Sequence, residues 1–581
     1  MARFSPGRRS AQSTTDRPRR RLSENQTFAL LAVVVGLAGG LAAVGFHALI
    51  EFLTHDVFGA LSDSLGGLGR AAVVPALVIG ALLVGPMVTR WAAEAKGHGV
   101  PEVIEAVAVR GGRIRARVPL VKAVASAITI GSGGSAGREG PIVQIGSAIG
   151  SLIARPFTMS DRRRRTFVAA GAAAGVAAVF NAPLAGVFFA LEVILRSFTA
   201  RGFSTVVISA VTANAVWRLL VSDEPVLTAE VYRLESPEEL VFYAALGVGA
   251  AVVALLFVRV LYLIEDWFEA SPIRPELRPA VGALAVGAVG MASLDVLGAG
   301  LDGIDKALAG EFATGALVLL IVGKILATSL TLGSGGSGGV FSPSLLIGAV
   351  LGAAFGNVVG QVFPDAASPA GAYAVVGMAA VFAAAAQAPM SSIFIVFEMT
   401  SDFGLIMPLM LACAASTVVY TAVNADSIYM EKIRRKHVSL DERLDEAQLA
   451  RVPLSRAAEA KYVSVFPTRS AADVRRLILD GREEYALVVA PDRVLKGVVW
   501  LDDIEDAGVQ GGTEVRQVMD DDHPVGRPDL SLADGLVLFD DGVNVLPVVD
   551  WNERVLGVAT RESVIRAYEA AQGDPLTGDG R

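Results

Sequence analysis

The sequence predicts an all-α polytopic membrane protein made of two repeated halves, followed by a smaller C-terminal α/β domain. Three observations support this fold class. Hydrophobic residues make up 53% of the 581-residue chain and charged residues only 19%, against about 25% in typical globular proteins. A glycine-serine loop occurs twice at a fixed offset, and after Met430 the composition becomes charged, with alternating apolar residues. We therefore expect most of the chain to lie in lipid.

The N-terminal segment, residues 1–26, is polar and carries seven arginines in its first 24 residues. The apolar run after it is too long for a signal peptide, so no cleavable leader is expected. Positively charged segments stay on the cytoplasmic side of a membrane. This rule predicts that both tails and the arginine-rich loops 110–117 and 161–165 are cytoplasmic, in what we expect to be a bacterial inner membrane. For the arginines, a topology signal is preferred over nucleic-acid binding.

The two membrane halves are predicted at residues 27–220 and 236–436. Some of their apolar runs reach the length of about 20 residues that a membrane helix needs, whereas others are shorter and interrupted by Gly and Pro. Interrupted segments are tolerated at membrane depth only where protein or a water-filled cavity covers the backbone. We therefore expect several helices that enter the membrane without crossing it.

The repeat is clearest in "GSGGSAGREGP" (131–141) and "GSGGSGGVFSP" (333–343), which agree at seven of eleven positions across an offset of 202. Aligned pairs outside the loop are Lys122 with Lys324 and, after a shift of four, Pro183 with Pro389 and Glu192 with Glu398. Internal symmetry with glycine-interrupted segments indicates a transporter-like fold with a site at the repeat interface. The repeat alone leaves open whether the halves are inverted or parallel.

Three interpretations of the loop compete. Gly131, Gly133 and Ala136 fit a dinucleotide fingerprint, which requires a preceding strand in a βαβ unit. Ser135 fits a nucleophile motif, which requires a base within hydrogen-bond reach, normally histidine. The third interpretation, coordination of an ion by backbone groups, is preferred because both flanks are membrane segments and no histidine follows Ser135 within one.

Four loops fit the start of a helix inside the membrane, where the positive end of the helix dipole faces an anion. They are "GHGVP" (97–101), "GREGP" (137–141), "GVFSP" (339–343) and "DSIYM" (426–430). Glu139 lies between Gly and Pro in the second loop. A carboxylate at membrane depth is costly, so Glu139 is a candidate functional residue.

This ordered set of motifs resembles the chloride channel and chloride/proton antiporter (CLC) family over about residues 27–436. The resemblance implies a homodimer in lipid, with two inverted halves and a separate chloride path in each subunit. It also implies that Glu139 is the gating glutamate and that the Tyr429 hydroxyl and the backbone of Val340 and Phe341 hold the anion. The full set of anion-binding residues implied is His98, Gly99, Arg138, Gly140, Val340, Phe341 and Tyr429.

Two positions depart from the family pattern. His98 stands where the family usually has a serine that helps to select the anion, and an imidazole there adds a titratable group. Val193 stands where proton-coupled members usually carry an inner glutamate, and valine cannot carry a proton. The sequence therefore favours a chloride channel gated by voltage or pH, with a chloride/proton antiporter as the alternative.

The tail resembles a tandem pair of CBS domains, predicted at residues 460–512 and 513–572 after a linker at 437–459. Each copy has two β-like runs followed by a helical pattern. Asp503 and Thr560 each keep half of an adenine-nucleotide signature, so nucleotide binding is a secondary expectation beside a structural or dimer-stabilising role. A disordered tail is predicted at 573–581.

Several classes of function are not expected. Cys413 is the only cysteine, which excludes disulfides within the chain and cysteine-rich metal sites. We expect no enzyme activity, no required cofactor, no metal site and no nucleic-acid partner.

Overall fold

The structure is a computed structural model. It describes residues 24–156, 159, 161–198, 200–227, 232, 238–364, 368–435, 449, 452–481, 483–507, 512–539 and 543–572. The predicted basic tail, the linker and the segment 573–581 lie largely or wholly outside these residues.

In the described residues of the two membrane halves, every regular secondary-structure element is a helix. Eighteen α-helices are described there: α1 Glu24–Phe52, α2 Ala60–Ser64, α3 Val73–Trp91, α4 Val100–Ala108, α5 Val118–Gly131, α6 Glu139–Ala154, α7 Asp161–Val179, α8 Pro183–Phe189, α9 Ala200–Leu220, α10 Glu239–Ala270, α11 Arg278–Ala292, α12 Leu301–Leu308, α13 Thr314–Gly333, α14 Phe341–Val362, α15 Ala370–Ala386, α16 Pro389–Thr400, α17 Ile406–Val423 and α18 Ile428–Arg435. A π-helical segment, Ala190–Leu195, continues α8.

Seven helical stretches in the described residues are long and apolar enough to cross a membrane: Gln26–Ser64, Gly66–Trp91, Gly202–Leu220, Glu239–Ala270, Thr314–Gly333, Phe341–Val362 and Ile406–Arg435. Five further apolar helices have only 10–17 residues. The prediction of an all-α membrane region that mixes spanning and shorter segments is confirmed.

Equivalent helices of the two halves pack in equivalent ways. In the first half α6 packs on α7, and in the second half α14 packs on α15. A Cβ at Gly146 would lie 2.1 Å from the Gly171 oxygen, and a Cβ at Gly348 would lie 2.3 Å from the Gly377 oxygen. Glycine is therefore needed at both crossings, because the backbones approach too closely for any side chain.

The tail contains two small sheets, as predicted. In the first, β1 (Ser464–Val465) pairs parallel to β2 (Tyr485–Val489), which pairs antiparallel to β3 (Leu495–Trp500); in the second, β4 (Val545–Val549) pairs antiparallel to β5 (Val555–Thr560). The tail helices are α19 Ala471–Gly481, α20 Leu501–Asp506, α21 Leu532–Val537 and α22 Arg561–Gln572.

The two copies of the tail motif contact each other through equivalent backbone groups. The Leu495 N–H donates to the Glu553 oxygen at 2.9 Å, and the Val555 N–H donates to the Arg493 oxygen at 3.0 Å. The two donors, Leu495 and Val555, are 60 residues apart, and so are the two acceptors, Arg493 and Glu553. The tail is thus also a duplicated unit that pairs with itself.

Candidate functional site

The two copies of the glycine-serine loop bond directly to each other. The Gly137 N–H donates to the Gly339 oxygen at 2.8 Å, and the Gly339 N–H donates to the Gly137 oxygen at 2.6 Å. These two residues are equivalent by the offset of 202, and their pairing is antiparallel. The chain therefore runs in opposite directions through the two copies, as expected for inverted halves.

The loop serines also join the halves. The Ser135 and Thr328 hydroxyls lie 2.9 Å apart, and the equivalent pair, Ser337 and Ser126, has the same separation. The partner of Ser135 is thus a threonine, which cannot act as the base that a serine nucleophile requires. Helices α5 and α6 flank the loop, so the strand that a dinucleotide fingerprint requires does not precede it. Neither alternative is supported.

Glu139 is the first residue of α6, and its carboxylate is buried against the second half. The Ser342 hydroxyl donates to this carboxylate, and the Ser342 backbone N–H lies 3.4 Å from its other oxygen. A Cβ at Gly137 would lie only 2.0 Å from the same carboxylate. The glycine of one half and the serine of the other therefore create the space and the donors for this charge.

A small cavity surrounds the carboxylate and brings the four predicted helix starts together. Helices α4, α6, α14 and α18 all begin within two residues of it. The lining residues are His98, Val100, Glu139, Gly140, Val143, Val176, Phe189, Val340, Phe341 and Tyr429. Six predicted site residues are among them.

Two predicted residues contribute to the site without lining this cavity. Gly99 has a positive φ of 82° and precedes α4; a Cβ there would lie 3.0 Å from the Gly140 oxygen. The Arg138 guanidinium lies 3.3 Å from His47 Nδ1, on α1, and 3.4 Å from the Val179 oxygen, at the end of α7. Arg138 thus ties the start of α6 to neighbouring helices through its side chain.

Tyr262, on α10, is a site residue that sequence reasoning missed. Its hydroxyl donates to the Ile428 oxygen at the start of α18 and lies 3.4 Å from His98 Nε2. The His98 and Tyr429 rings lie 5.9 Å apart. Tyr262 therefore links the starts of α4 and α18, and a tyrosine in an apolar helix gives no sequence signal of that role.

Val193 is buried in the π-helical segment, where it belongs to the hydrophobic core. The preceding residue, Glu192, accepts hydrogen bonds from the Ser391 N–H at 2.7 Å and the Ser391 hydroxyl at 2.6 Å, at the start of α16. Its counterpart Glu398 accepts from the Ala185 N–H at 2.8 Å, at the start of α8. Each carboxylate thus caps a helix of the other half.

The predicted nucleotide residues lie near the start of the last helix of each tail motif, at different positions: by the offset of 60, Asp503 corresponds to Ser563 and Thr560 to Trp500. The Thr560 hydroxyl accepts a hydrogen bond from the Ser563 N–H at 3.1 Å, so it caps α22. Asp503 is in α20, whose Asp502 and Glu505 carboxylates pair with Arg163 of α7. Nucleotide binding stays a prediction.

Different family models match the membrane region and the tail of this chain. A family model described as voltage gated chloride channel matches residues 80–421, and a CBS domain model matches residues 515–570. A ClcB-like protein of Ralstonia nicotianae, named for a chloride channel, is 34% identical over 415 residues, covering 70% of this chain and 96% of the relative.

Two further relatives are named as exchangers. The H(+)/Cl(-) exchange transporter ClcA of Vibrio campbellii is 33% identical over 418 residues, covering 70% of this chain and 88% of the relative. The crystal structure of a slow cyanobacterial Cl-/H+ antiporter is similar with a TM-score of 0.65 and 26% identity, covering 72% of this chain and 99% of that one.

Proposed function

This chain belongs to the voltage-gated chloride channel (CLC) family and is an integral membrane protein, and from that premise we propose that it exchanges chloride for protons. The observation that carries the proposal is the position of Glu139. Its carboxylate lies inside a cavity formed by four helix starts, two from each half. A helix start attracts negative charge, so the carboxylate and a chloride ion compete for the same place.

Competition between the Glu139 carboxylate and chloride couples chloride movement to the protonation of Glu139. While Glu139 is ionised, Ser342 holds its carboxylate in the path. Protonation removes the charge, weakens the charge-assisted bond and frees the place for chloride. We assign contacts with the anion to His98, Gly99, Gly140, Val340, Phe341 and Tyr429, with Arg138 as a nearby fixed positive charge.

Exchange replaces the channel that the sequence favoured. The named exchangers among the relatives support exchange at least as well as conduction. The channel remains the second candidate function because one observation favours it: Val193 is apolar and buried where proton-coupled members usually carry a glutamate. Homodimer assembly and a regulatory or structural role of the CBS tail are carried over from the resemblance as part of the proposal.

Reconstituted vesicles distinguish the two candidates. A chloride gradient imposed without a pH gradient should drive protons uphill in the opposite sense if the protein is an exchanger. Glu139→Gln should stop this proton movement and make chloride passage independent of pH. The control is Glu311→Gln, which changes an exposed carboxylate in the loop between α12 and α13. Chloride movement without any proton movement in the wild-type protein would establish the channel instead.

A further inference from the structure

Exchange through this site requires a proton donor for Glu139 on the Tyr429 side, that is, the side on which α18 leads from the cavity into the tail. Val193 cannot supply one, because its side chain has no titratable group. Among the described residues that line the cavity, three are titratable: Glu139, Tyr429 and His98. A phenol titrates near pH 10 and an imidazole near 6.5 in water. Among the lining residues, His98 is therefore the side chain suited to exchanging a proton with Glu139 near neutral pH.

The contacts of His98 indicate which nitrogen carries the mobile proton. The Tyr262 hydroxyl donates its own hydrogen to the Ile428 oxygen, so its oxygen is the acceptor for the hydrogen on His98 Nε2, 3.4 Å away. A fixed hydrogen on Nε2 leaves Nδ1 as the atom that gains and loses the second proton. Tyr262 is thus a positioning residue that sets the tautomer and the ring orientation.

Charged groups of both signs surround the His98 loop. Lys122, on α5, donates to the Gly97 oxygen at 2.6 Å, and Lys432, on α18, lies 3.7 Å from Glu102 of α4. Titratable groups on the elements around the loop include Lys96, Glu102, Lys122, Glu139, Tyr262, Glu265, Glu269, Tyr429, Glu431, Lys432 and Arg435. Nearby positive charge disfavours the protonated form of His98, and nearby carboxylates favour it. The charge of Glu139 therefore influences whether His98 is protonated.

We propose that His98 carries protons between Glu139 and the solution on the Tyr429 side; this inference rests on the proposed exchange. In the forward step the Nδ1–H bond of the imidazolium breaks, its electron pair stays on nitrogen, and an O–H bond forms on the Glu139 carboxylate, directly or across one water molecule. Neutral His98, which is buried, then takes its next proton from hydronium in that solution, passed along intervening water molecules. Neutral Glu139 leaves Ser342 and chloride takes its place.

The number of protons moved per chloride tests the proposal, because this ratio does not depend on the chloride rate. We expect His98→Gln to lower the ratio at least tenfold in reconstituted vesicles under a chloride gradient. His47→Gln is the matched control: it removes an imidazole that contacts Arg138, next to Glu139 in the chain, and should keep the wild-type ratio. If the glutamine variant cannot be purified folded, His98→Asn serves the same test.

The possible outcomes distinguish proton transfer through His98, here called the relay, from chloride/proton exchange itself. A wild-type ratio in His98→Gln, with exchange intact in the wild type, would overturn the relay and leave the exchange standing. Loss of coupling in His47→Gln but not in His98→Gln would also overturn the relay. A wild-type protein that moves chloride without protons would overturn both. A low ratio in His98→Gln alone would support the relay.

Discussion

The two halves of the membrane region share a scaffold and differ in the chemistry that they supply to the site. Residues 131–135 and 333–337 have the same sequence, and the paired glycines Gly137 and Gly339 bond to each other. After this shared frame the first half places Arg138 and Glu139, whereas the second half places Val340 and Phe341. Duplication therefore builds the cavity, and the divergence at these positions places a carboxylate on one side only.

The shared scaffold includes buried lysines. The Lys122 ammonium donates to the Ala95 and Gly97 oxygens at 3.1 and 2.6 Å. Its counterpart Lys324 donates to two backbone oxygens of the corresponding loop at 3.0 and 2.9 Å. A polar group this deeply buried is tolerated because each amino group is hydrogen-bonded. These lysines stabilise symmetric loops, and the asymmetry of the site lies in the residues that face the cavity.

The largest predicted effect concerns Ser342, the residue through which the second half holds the Glu139 carboxylate of the first half. Ser342→Ala removes a hydrogen bond to a charged group, worth about 1.5–3 kcal/mol. The seated carboxylate then leaves more often, so chloride passage at neutral pH should rise by about ten- to a hundredfold in vesicle flux measurements.

Ser344→Ala is the matched control for that prediction. Its hydroxyl donates to the Val340 oxygen at 2.7 Å, within the same turn of α14. This variant should keep the wild-type rate to within about twofold, because a hydrogen bond to a neutral backbone oxygen contributes less than a bond to a charged group. Equal rates in Ser342→Ala and the wild type would mean that the second half does not restrain Glu139.

A smaller effect should distinguish the two carboxylates that cap helices across the halves. Glu192 accepts three hydrogen bonds at the start of α16, and Glu398 accepts two at the start of α8. Glu192→Gln should therefore destabilise the protein more, by about 2 kcal/mol against about 1 kcal/mol for Glu398→Gln. Thermal unfolding of the detergent-solubilised variants measures the order, and the reverse order would contradict the count of donors.

Local patterns explain why part of this architecture could be predicted. Gly and Pro mark the starts of α4, α6 and α14, and alternating apolar residues mark the strands of the tail. The contacts of Ser342 with Glu139 and of Tyr262 with His98 join residues separated by 203 and 164 positions. Such contacts depend on how whole helices pack, so no local pattern contains them.

The smallest effect concerns an arginine that only the first half carries. Arg163, near the start of α7, has Pro369 as its counterpart before α15. Its guanidinium lies 3.2 Å from Asp502 and also pairs with Glu505, both on α20 of the tail. The pair is largely buried. Since Glu505 keeps Arg475 as a partner at 3.0 Å, Arg163→Gln should weaken this contact by about 1 kcal/mol, the net contribution of one hydrogen bond.

Hydrogen exchange measures this last effect. Amides at the start of α7 and in α20 should exchange about fivefold faster in Arg163→Gln, the factor that corresponds to about 1 kcal/mol. Arg475→Gln removes another partner of Glu505 and should speed hydrogen exchange in α20 but not in α7. Unchanged exchange at α7 in Arg163→Gln would mean that the ion pair does not hold the tail to the first half. Faster hydrogen exchange both at the start of α7 and in α20 would mean that the arginine run of the first half holds the tail to the membrane region. In the described residues, the second half lacks this contact.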